Sequence, residues 1–142
     1  MFVVSVVHLT DFSVGTTRDS FQDTPVKHLA YQSYTPLALR TLQSIAQTLR
    51  QKHSLHAIAL IHRLGVVPIG EESILIAVSS AHRGPAWKAG EEALEECKKR
   101  AEIWKLEEFG GAEGGVWRSN RDGEAGVKVS DGSLEDAQAK GV

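Results

Sequence analysis

The chain has 142 residues, 42% of them hydrophobic and 24% charged, which is typical of one globular domain. Its formal charge of −2 argues against nucleic acid as a partner, and no apolar run approaches the roughly 20 residues that a membrane span needs. The single cysteine, Cys97, excludes an internal disulfide and, with no signal-peptide pattern at the start, predicts a cytosolic protein.

The first part of the chain is predicted to form two strands separated by a long loop. Val3 to His8 is short and β-branched, as strands often are. Residues 10–25 are rich in turn formers and are predicted to form a loop. From Val26 to Tyr34 the side chains alternate between two faces, which predicts a half-buried strand.

Two helices are predicted next to this sheet. Thr35 followed by Pro36 is typical of a helix start, with the threonine hydroxyl as the cap. The first helix then carries an apolar stripe formed by Ala38, Leu42, Ile45 and Leu49. Pro85 opens the second helix, which has a face of small residues suited to close packing, formed by Ala86, Ala89, Gly90, Ala93, Leu94, Cys97 and Ala101.

Between the helices, residues 56–62 and 73–80 are apolar and predict an antiparallel pair of strands. This pairing puts His62 opposite residue 73 or 74, roughly 26 Å from His82 at 3.3 Å per residue. We therefore expect His62 and Arg63 to be structural. Residues 1–109 are predicted to form the domain, and residues 110–142, rich in glycine and charge, a mobile tail attached at Trp117 at most.

Two pairs of side chains are candidates for a binding site. His82 and Arg83 stand between a strand and a helix, where the backbone N–H groups of a helix start favour an anion. Lys98 and Lys105 are seven residues apart and would leave the same face of an uninterrupted helix. In each case the alternative is a solvated surface pair, with Lys98 balanced by nearby glutamates.

A glycine-containing loop around Arg18 is a weaker candidate for an anion site. The chain shows no histidine, cysteine and carboxylate spacing that indicates a metal site, and no metal is predicted.

Several short motifs, in order and spacing, resemble the large catalytic subunit of molybdopterin synthase over residues 14–107. The motifs are GTTRD, YTPLAL, HRLG, VSSAHR and KKRAEIWK. The resemblance implies an α+β, hammerhead-like fold with a mostly antiparallel sheet packed against two main helices. It also implies a further helix and strand before the GTTRD loop, which this chain lacks.

The same resemblance implies an activity and its partners. A homodimer of large subunits would bind two small ubiquitin-like subunits, giving a heterotetramer. Sulfur from the small subunit's C-terminal thiocarboxylate would convert cyclic pyranopterin monophosphate to molybdopterin, with no permanently bound cofactor. The family's catalytic residues fall on Lys98, Lys105 and His82, and its other substrate-binding residues on Arg83, Arg18 and, from the partner protomer, Arg121.

Two other hypotheses remain open at this point. The chain could be a non-catalytic subunit that binds the ubiquitin-like partner but has lost its pocket with the missing segment. It could also be an unrelated anion-binding domain of the α+β class.

Overall fold

The computed structural model describes residues 11–21, 24–109, 115–119 and 127–129. These residues form nine strands and two helices. The strands are β1 (Asp11–Thr16), β2 (Ser20–Phe21), β3 (Thr24–Ser33), β4 (Ala57–His62), β5 (Gly65–Pro68), β6 (Glu72–Ser79), β7 (Ile103–Phe109), β8 (Gly115–Ser119) and β9 (Val127–Val129). The helices are α1 (Thr35–Lys52) and α2 (Arg83–Arg100).

The strands make two antiparallel sheets. The smaller sheet has the order β1, β6, β4, and its pairing puts His62 opposite Ile74, as predicted. The larger sheet runs β3, β7, β8, β9, with β2 and β5 both pairing along the outer edge of β3. The α+β class, the mostly antiparallel sheet and the two main helices predicted from the sequence are thus confirmed.

The helices pack their apolar faces on the smaller sheet. Ile45 and Leu49 of α1 are each 1% exposed and lie in one cluster with Ile76 and Val78 of β6. The small-residue face of α2 joins the same cluster, where its short side chains allow close packing. A second cluster beneath the larger sheet is formed by Tyr31, Ala38, Val67 and Ile103.

Both helices begin earlier than predicted. The cap position of α1 is Tyr34, which makes no side-chain capping bond, while the Thr35 hydroxyl lies 3.1 Å from the Ser33 hydroxyl. The cap position of α2 is His82, so that Arg83, and not Pro85, opens this helix. A salt-bridged carboxylate fastens the two helices together, since Glu92 of α2 lies 2.6 Å from Lys52 Nζ and 2.8 Å from His53 Nε2.

The predicted loop over residues 10–25 is wrong for much of its length. Asp11–Thr16 is a strand because it pairs with the edge of β6, and this pairing outweighs the local preference for turns. The register shifts at Gly15, where a Cβ atom would lie 2.8 Å from Ile74 Cγ2. Glycine therefore allows the strand to pass close to β6 before the chain turns toward Arg18.

The helix does not continue through both lysines, so their spacing of seven residues does not place them on one helix face. Helix α2 ends at Arg100, and Ala101 is extended, with φ −68° and ψ 136°. The chain reverses there and returns as β7, whose pairing with β3 satisfies the backbone groups from Ile103 onward. Lys98 thus lies on a helix and Lys105 on a strand.

Two strands lie in the segment predicted to be a tail. Gly115–Ser119 pairs with β7, and Val127–Val129 pairs with Gly115–Ser119 in turn. All five residues of β8 pair with β7, with Trp117 opposite Leu106. The predicted first strand, Val3 to His8, lies outside the described residues. Among the residues that are described, no helix is both long and apolar enough to cross a membrane.

Candidate functional site

A cavity of about 450 Å³ lies where the two sheets meet the end of α2. Its walls come from both sheets, from the loop after β1 and from α2. The lining residues are Gly15, Thr16, Thr17, Arg18, Ser20, Val26, Leu29, Tyr31, His62, Ser73, Ile74, Leu94, Lys98, Lys105 and Glu107. Three cations predicted from the sequence, Arg18, Lys98 and Lys105, are therefore brought together.

Strand register explains how the two sheets build this cavity. In the smaller sheet Gly15, Ile74 and His62 form one row across three strands. In the larger sheet Tyr31 and Lys105 are paired directly. Paired residues of antiparallel strands project to the same side of the sheet, so each sheet contributes one row to the cavity wall.

The loop that carries Arg18 is held by backbone hydrogen bonds. The Thr17 N–H donates to the Glu71 carbonyl at 3.0 Å, and the Gly70 N–H donates to the Thr17 carbonyl at 2.9 Å. The Val26 N–H bonds the Asp19 carbonyl at 2.9 Å on the other side of the arginine. The backbone on both sides of Arg18 is thus held by hydrogen bonds, which suits a residue that positions an anion.

Lys98 enters the cavity from the last turn of α2. Its side chain is 31% exposed and its Nζ lies 3.7 Å from a carboxylate oxygen of Glu95, one turn earlier. That glutamate is 67% exposed, so solvent screens much of its attraction. The contact with Glu95 therefore offsets little of the positive charge of Lys98.

A buried carboxylate forms the floor beside Lys105. Glu107 is 2% exposed, and its Oε1 lies 3.4 Å from Lys105 Nζ. Its Oε2 accepts a hydrogen bond of 2.9 Å from Arg118 Nε on β8. A carboxylate this deeply buried needs such partners, because a buried unpaired charge is strongly destabilising.

Two rings close the cavity between the sheets. Tyr31 and His62 meet edge to face, with their centroids 4.8 Å apart. Burial lowers the pKa of His62, against the opposing effect of its bond to the Arg63 carbonyl. Its Nδ1 lies 2.9 Å from that carbonyl oxygen, so in the neutral ring Nδ1 carries the proton and Nε2 is the acceptor. Burial also raises the pKa of Tyr31, so its phenol is neutral at pH 7.

His82 and Arg83 lie elsewhere in this chain. They stand at the start of α2, while Lys98 is 15 residues further along the same helix, or about 22 Å at 1.5 Å per residue. Both side chains are exposed, and the Ser80 hydroxyl donates to the His82 carbonyl. One copy of the chain thus separates the two pairs of candidate residues. Arg121, the remaining candidate, lies outside the described residues.

Several residues in or next to the cavity carried no signal in the sequence. Tyr31 was an ordinary position of a predicted strand, Glu107 was one of several glutamates near the two lysines, and Arg118 lay in the expected tail. A structural role was predicted for His62 and Arg63. Arg63 pairs with Glu71, whereas His62 lies on the cavity wall. Only the pairing of distant strands brings these side chains together.

A more open depression of about 610 Å³ lies between α1 and the end of α2. It is lined by only Thr41, Lys99, Arg100 and Glu102. Its carboxylate already accepts bonds of 2.8 and 3.1 Å from the Thr41 hydroxyl. The smaller, more enclosed cavity is the better candidate because it combines three cations with apolar walls.

Three cationic side chains make this cavity a candidate anion site. No group of three or more histidine, cysteine, aspartate or glutamate side chains suited to a metal ion occurs among the described residues. Cys97 is 1% exposed, and burial, with a smaller effect from Glu96, raises the pKa of its thiol to about 12. This thiol is therefore unsuited to act as a nucleophile.

Comparisons with known proteins point to one family. The family model described as MoaE protein matches residues 10–100. A Neurospora crassa protein named molybdopterin synthase catalytic subunit is 67% identical over 117 residues, which cover 82% of this chain and 57% of that protein. A protein of the same name from Pyrenophora tritici-repentis is 64% identical over 127 residues, covering 89% of this chain and 69% of its own length.

A solved structure gives the same result for the fold. The crystal structure of molybdopterin synthase from Staphylococcus aureus superposes with a TM-score of 0.72 at 31% identity, covering 76% of this chain and 77% of that one. The chain spans 57% and 60% of the lengths of the relatives from N. crassa and Sclerotinia sclerotiorum.

Proposed function

Because the chain belongs to the MoaE family, we propose that it is the catalytic subunit of a molybdopterin synthase, a sulfurtransferase of molybdenum cofactor biosynthesis. Its substrate is cyclic pyranopterin monophosphate and its product is molybdopterin. The sulfur donor is the C-terminal thiocarboxylate of a small ubiquitin-like subunit, and no cofactor is permanently bound. The observation that carries this proposal is the cavity in which Arg18, Lys98 and Lys105 converge.

The charges of the cavity suit these two ligands. The pterin phosphate and the thiocarboxylate are both anions, and three cations line a partly enclosed space in which charge interactions are stronger than in water. Lys105 and Arg18 neutralise the phosphate. The apolar side chains of Val26, Leu29 and Leu94 offer a surface to the pterin ring.

Lys98 serves the transfer itself, as a general acid or base or as a transient covalent partner of the acyl group. Each transfer breaks the carbon–sulfur bond of one thiocarboxylate. On the pterin side chain the new carbon–sulfur bond replaces a carbon–oxygen bond, and that oxygen leaves as water or stays on the phosphate. The acyl group takes up water and leaves the small subunit with a carboxylate. A dithiolene therefore consumes two loaded small subunits.

A second copy of the chain supplies His82 and Arg83. These residues lie too far along α2 to reach the cavity of their own chain, yet an arginine at a helix start is suited to hold a carboxylate-like group. In a two-fold homodimer each chain would complete the other's site, and two small subunits would make a heterotetramer. We place the assembly in the cytosol, because a reduced sulfur donor persists in a reducing compartment.

Reconstitution tests the proposal. The purified chain is mixed with thiocarboxylated small subunit and cyclic pyranopterin monophosphate, and dithiolene formation is measured. We expect two sulfur atoms transferred per pterin. A non-catalytic binding subunit would form the complex without dithiolene. An unrelated anion-binding domain would bind phosphate and show no affinity for the small subunit.

Mixed dimers test the second copy. R83A and K98A are each expected to be inactive alone. After subunit exchange about one quarter of wild-type activity should return, because half of the dimers are mixed and each mixed dimer holds one intact site. No recovery after confirmed exchange would argue that His82 and Arg83 do not act across the dimer.

A further inference from the structure

Arg118 is not a lining residue of the cavity, but it touches the carboxylate at its floor. Its Nε donates to Glu107 Oε2 at 2.9 Å, while Lys105 Nζ lies 3.4 Å from Oε1 of the same side chain. The side chain of Glu107 is 3% exposed, and those of Lys105 and Arg118 are 17% and 23% exposed. One buried carboxylate is thus shared by two largely buried cations.

The pairing of β7 with β8 fixes this arrangement. Arg118 stands directly opposite Lys105, and Glu107 is two residues further along β7 on the same side. The carboxylate is therefore within reach of both cations, one on its own strand and one across the strand pair. Each cation meets a different oxygen, and the shorter contact belongs to Arg118.

The charge of the group depends on Arg118. Lys105 and Glu107 alone would form a neutral ion pair, and a buried neutral pair attracts an anion weakly. With the guanidinium added, the group carries one net positive charge, and the stronger bond of the carboxylate is made to the residue behind the cavity. The ammonium of Lys105 has three N–H donors. Its contact with Glu107, at 3.4 Å, is longer than the 2.9 Å contact between Arg118 and Glu107.

We infer that Arg118 is a positioning residue: by holding the Glu107 carboxylate, it keeps the Lys105 ammonium available to an anionic ligand in the cavity. The inference rests on the proposed function in that the ligand is the phosphate of the pterin. It makes β8, which follows the segment matched by the family model, part of the site.

The experiment compares four variants with the wild type. R118Q removes the charge but keeps a hydrogen-bond donor for Glu107, and R118K restores the charge. R118Q/E107Q removes both charges and leaves Lys105 without the carboxylate. The matched control is R100Q, which breaks an arginine–glutamate pair of 3.1 Å on α2. Arg100 lies two residues from Lys98, hence on the opposite side of the helix.

Affinities are measured by calorimetry with inorganic pyrophosphate and with cyclic pyranopterin monophosphate. We expect R118Q to raise both dissociation constants about tenfold, the lower range for a charge-assisted hydrogen bond. R118K, R118Q/E107Q and R100Q should bind within about threefold of the wild type. In turnover, R118Q should raise KM and leave kcat within about twofold, since the interaction holds bound and reacting phosphate alike.

If R118Q folds, either of two results would overturn the inference. R118Q could bind both ligands as well as the wild type, or R118Q/E107Q could bind as weakly as R118Q, which would mean that Arg118 acts through packing or direct contact. If R118Q does not fold, R118Q/E107Q decides alone, because it leaves no buried carboxylate unpaired. Binding by that variant more than about tenfold weaker than wild type would also overturn the inference.

The two proposals can fail separately. A wild-type chain that binds pyrophosphate but neither binds nor converts the pterin would refute the proposed function, and the pyrophosphate comparison would still decide the role of Arg118. A wild-type chain that binds neither ligand would refute the inference, because Lys105 would then hold no anion.

Discussion

Replacing Lys98 by alanine separates a chemical role of this lysine from a structural one. The ion pair between Lys98 and Glu95 spans 3.7 Å, and its glutamate is 67% exposed. Such a pair on a helix contributes about 0.2–0.5 kcal/mol to stability, and alanine is the better helix former. We therefore expect the free energy of unfolding of K98A to lie within about 0.5 kcal/mol of the wild type, with Tm within about 2 °C.

The activity of K98A should fall far more than its stability. A positioned acid or base contributes about 10²- to 10⁴-fold, so the rate of dithiolene formation should fall by at least about 10²-fold. Binding of the small subunit, measured by calorimetry, should stay within about threefold, because the variant removes no more than one cation from the cavity. The assay is single-turnover transfer from thiocarboxylated small subunit, followed by product fluorescence after oxidation.

K99A is the matched control for this prediction. Lys99 is the next residue of α2, is exposed and does not line the cavity. It should transfer sulfur at nearly the wild-type rate. Unchanged turnover in K98A would refute the assignment of Lys98. Equal losses in K98A and K99A would mean that a general positive field, and not one positioned ammonium, drives the reaction.

Two further predictions concern stability and reactivity. The hydrogen bond from Lys52, with a second from His53, holds the pKa of the Glu92 carboxyl below its ordinary value of 4.5. The ionised carboxylate therefore stabilises the fold above that pH. This stabilisation is lost as the pH falls through the folded-state pKa. Because Glu92 is 32% exposed, E92Q should lower Tm at pH 7 by no more than about 3 °C. At pH 3 the Tm values of E92Q and the wild type should lie closer together than at pH 7. A Tm difference that is the same at both pH values would contradict this linkage. The Cys97 thiol is buried and its pKa is raised to about 12. It should not react with a thiol reagent at pH 8 in the native protein but should react fully in guanidinium chloride. Rapid labelling of the native protein would show that the buried face of α2 becomes exposed by local opening.

Local patterns predicted the elements whose burial is periodic. The stripe on α1 has a helical period, and β4 and β6 are short apolar runs bounded by turn residues; the structure buries Ile45, Leu49 and Ile76 accordingly. β1 and β8 have neither kind of pattern. Asp11–Thr16 and Gly115–Ser119 become strands because β6 and β7 offer them an edge, which no local window of the sequence contains.

The two lysines illustrate how side chains can line one cavity although the local structure expected from their spacing does not form. A spacing of seven residues would put Lys98 and Lys105 on one face of a helix, yet α2 ends between them and the chain turns back as β7. They still line one cavity, because β7 pairs with β3, with Lys105 opposite Tyr31, and this pairing brings Lys105 to the cavity that Lys98 enters from the end of α2. The same pairing buries Glu107, whose charge must then be balanced from β8. Spacing alone identifies which cations are near in sequence, whereas strand register determines which carboxylate limits their charge, and that second fact controls how strongly the cavity attracts an anion.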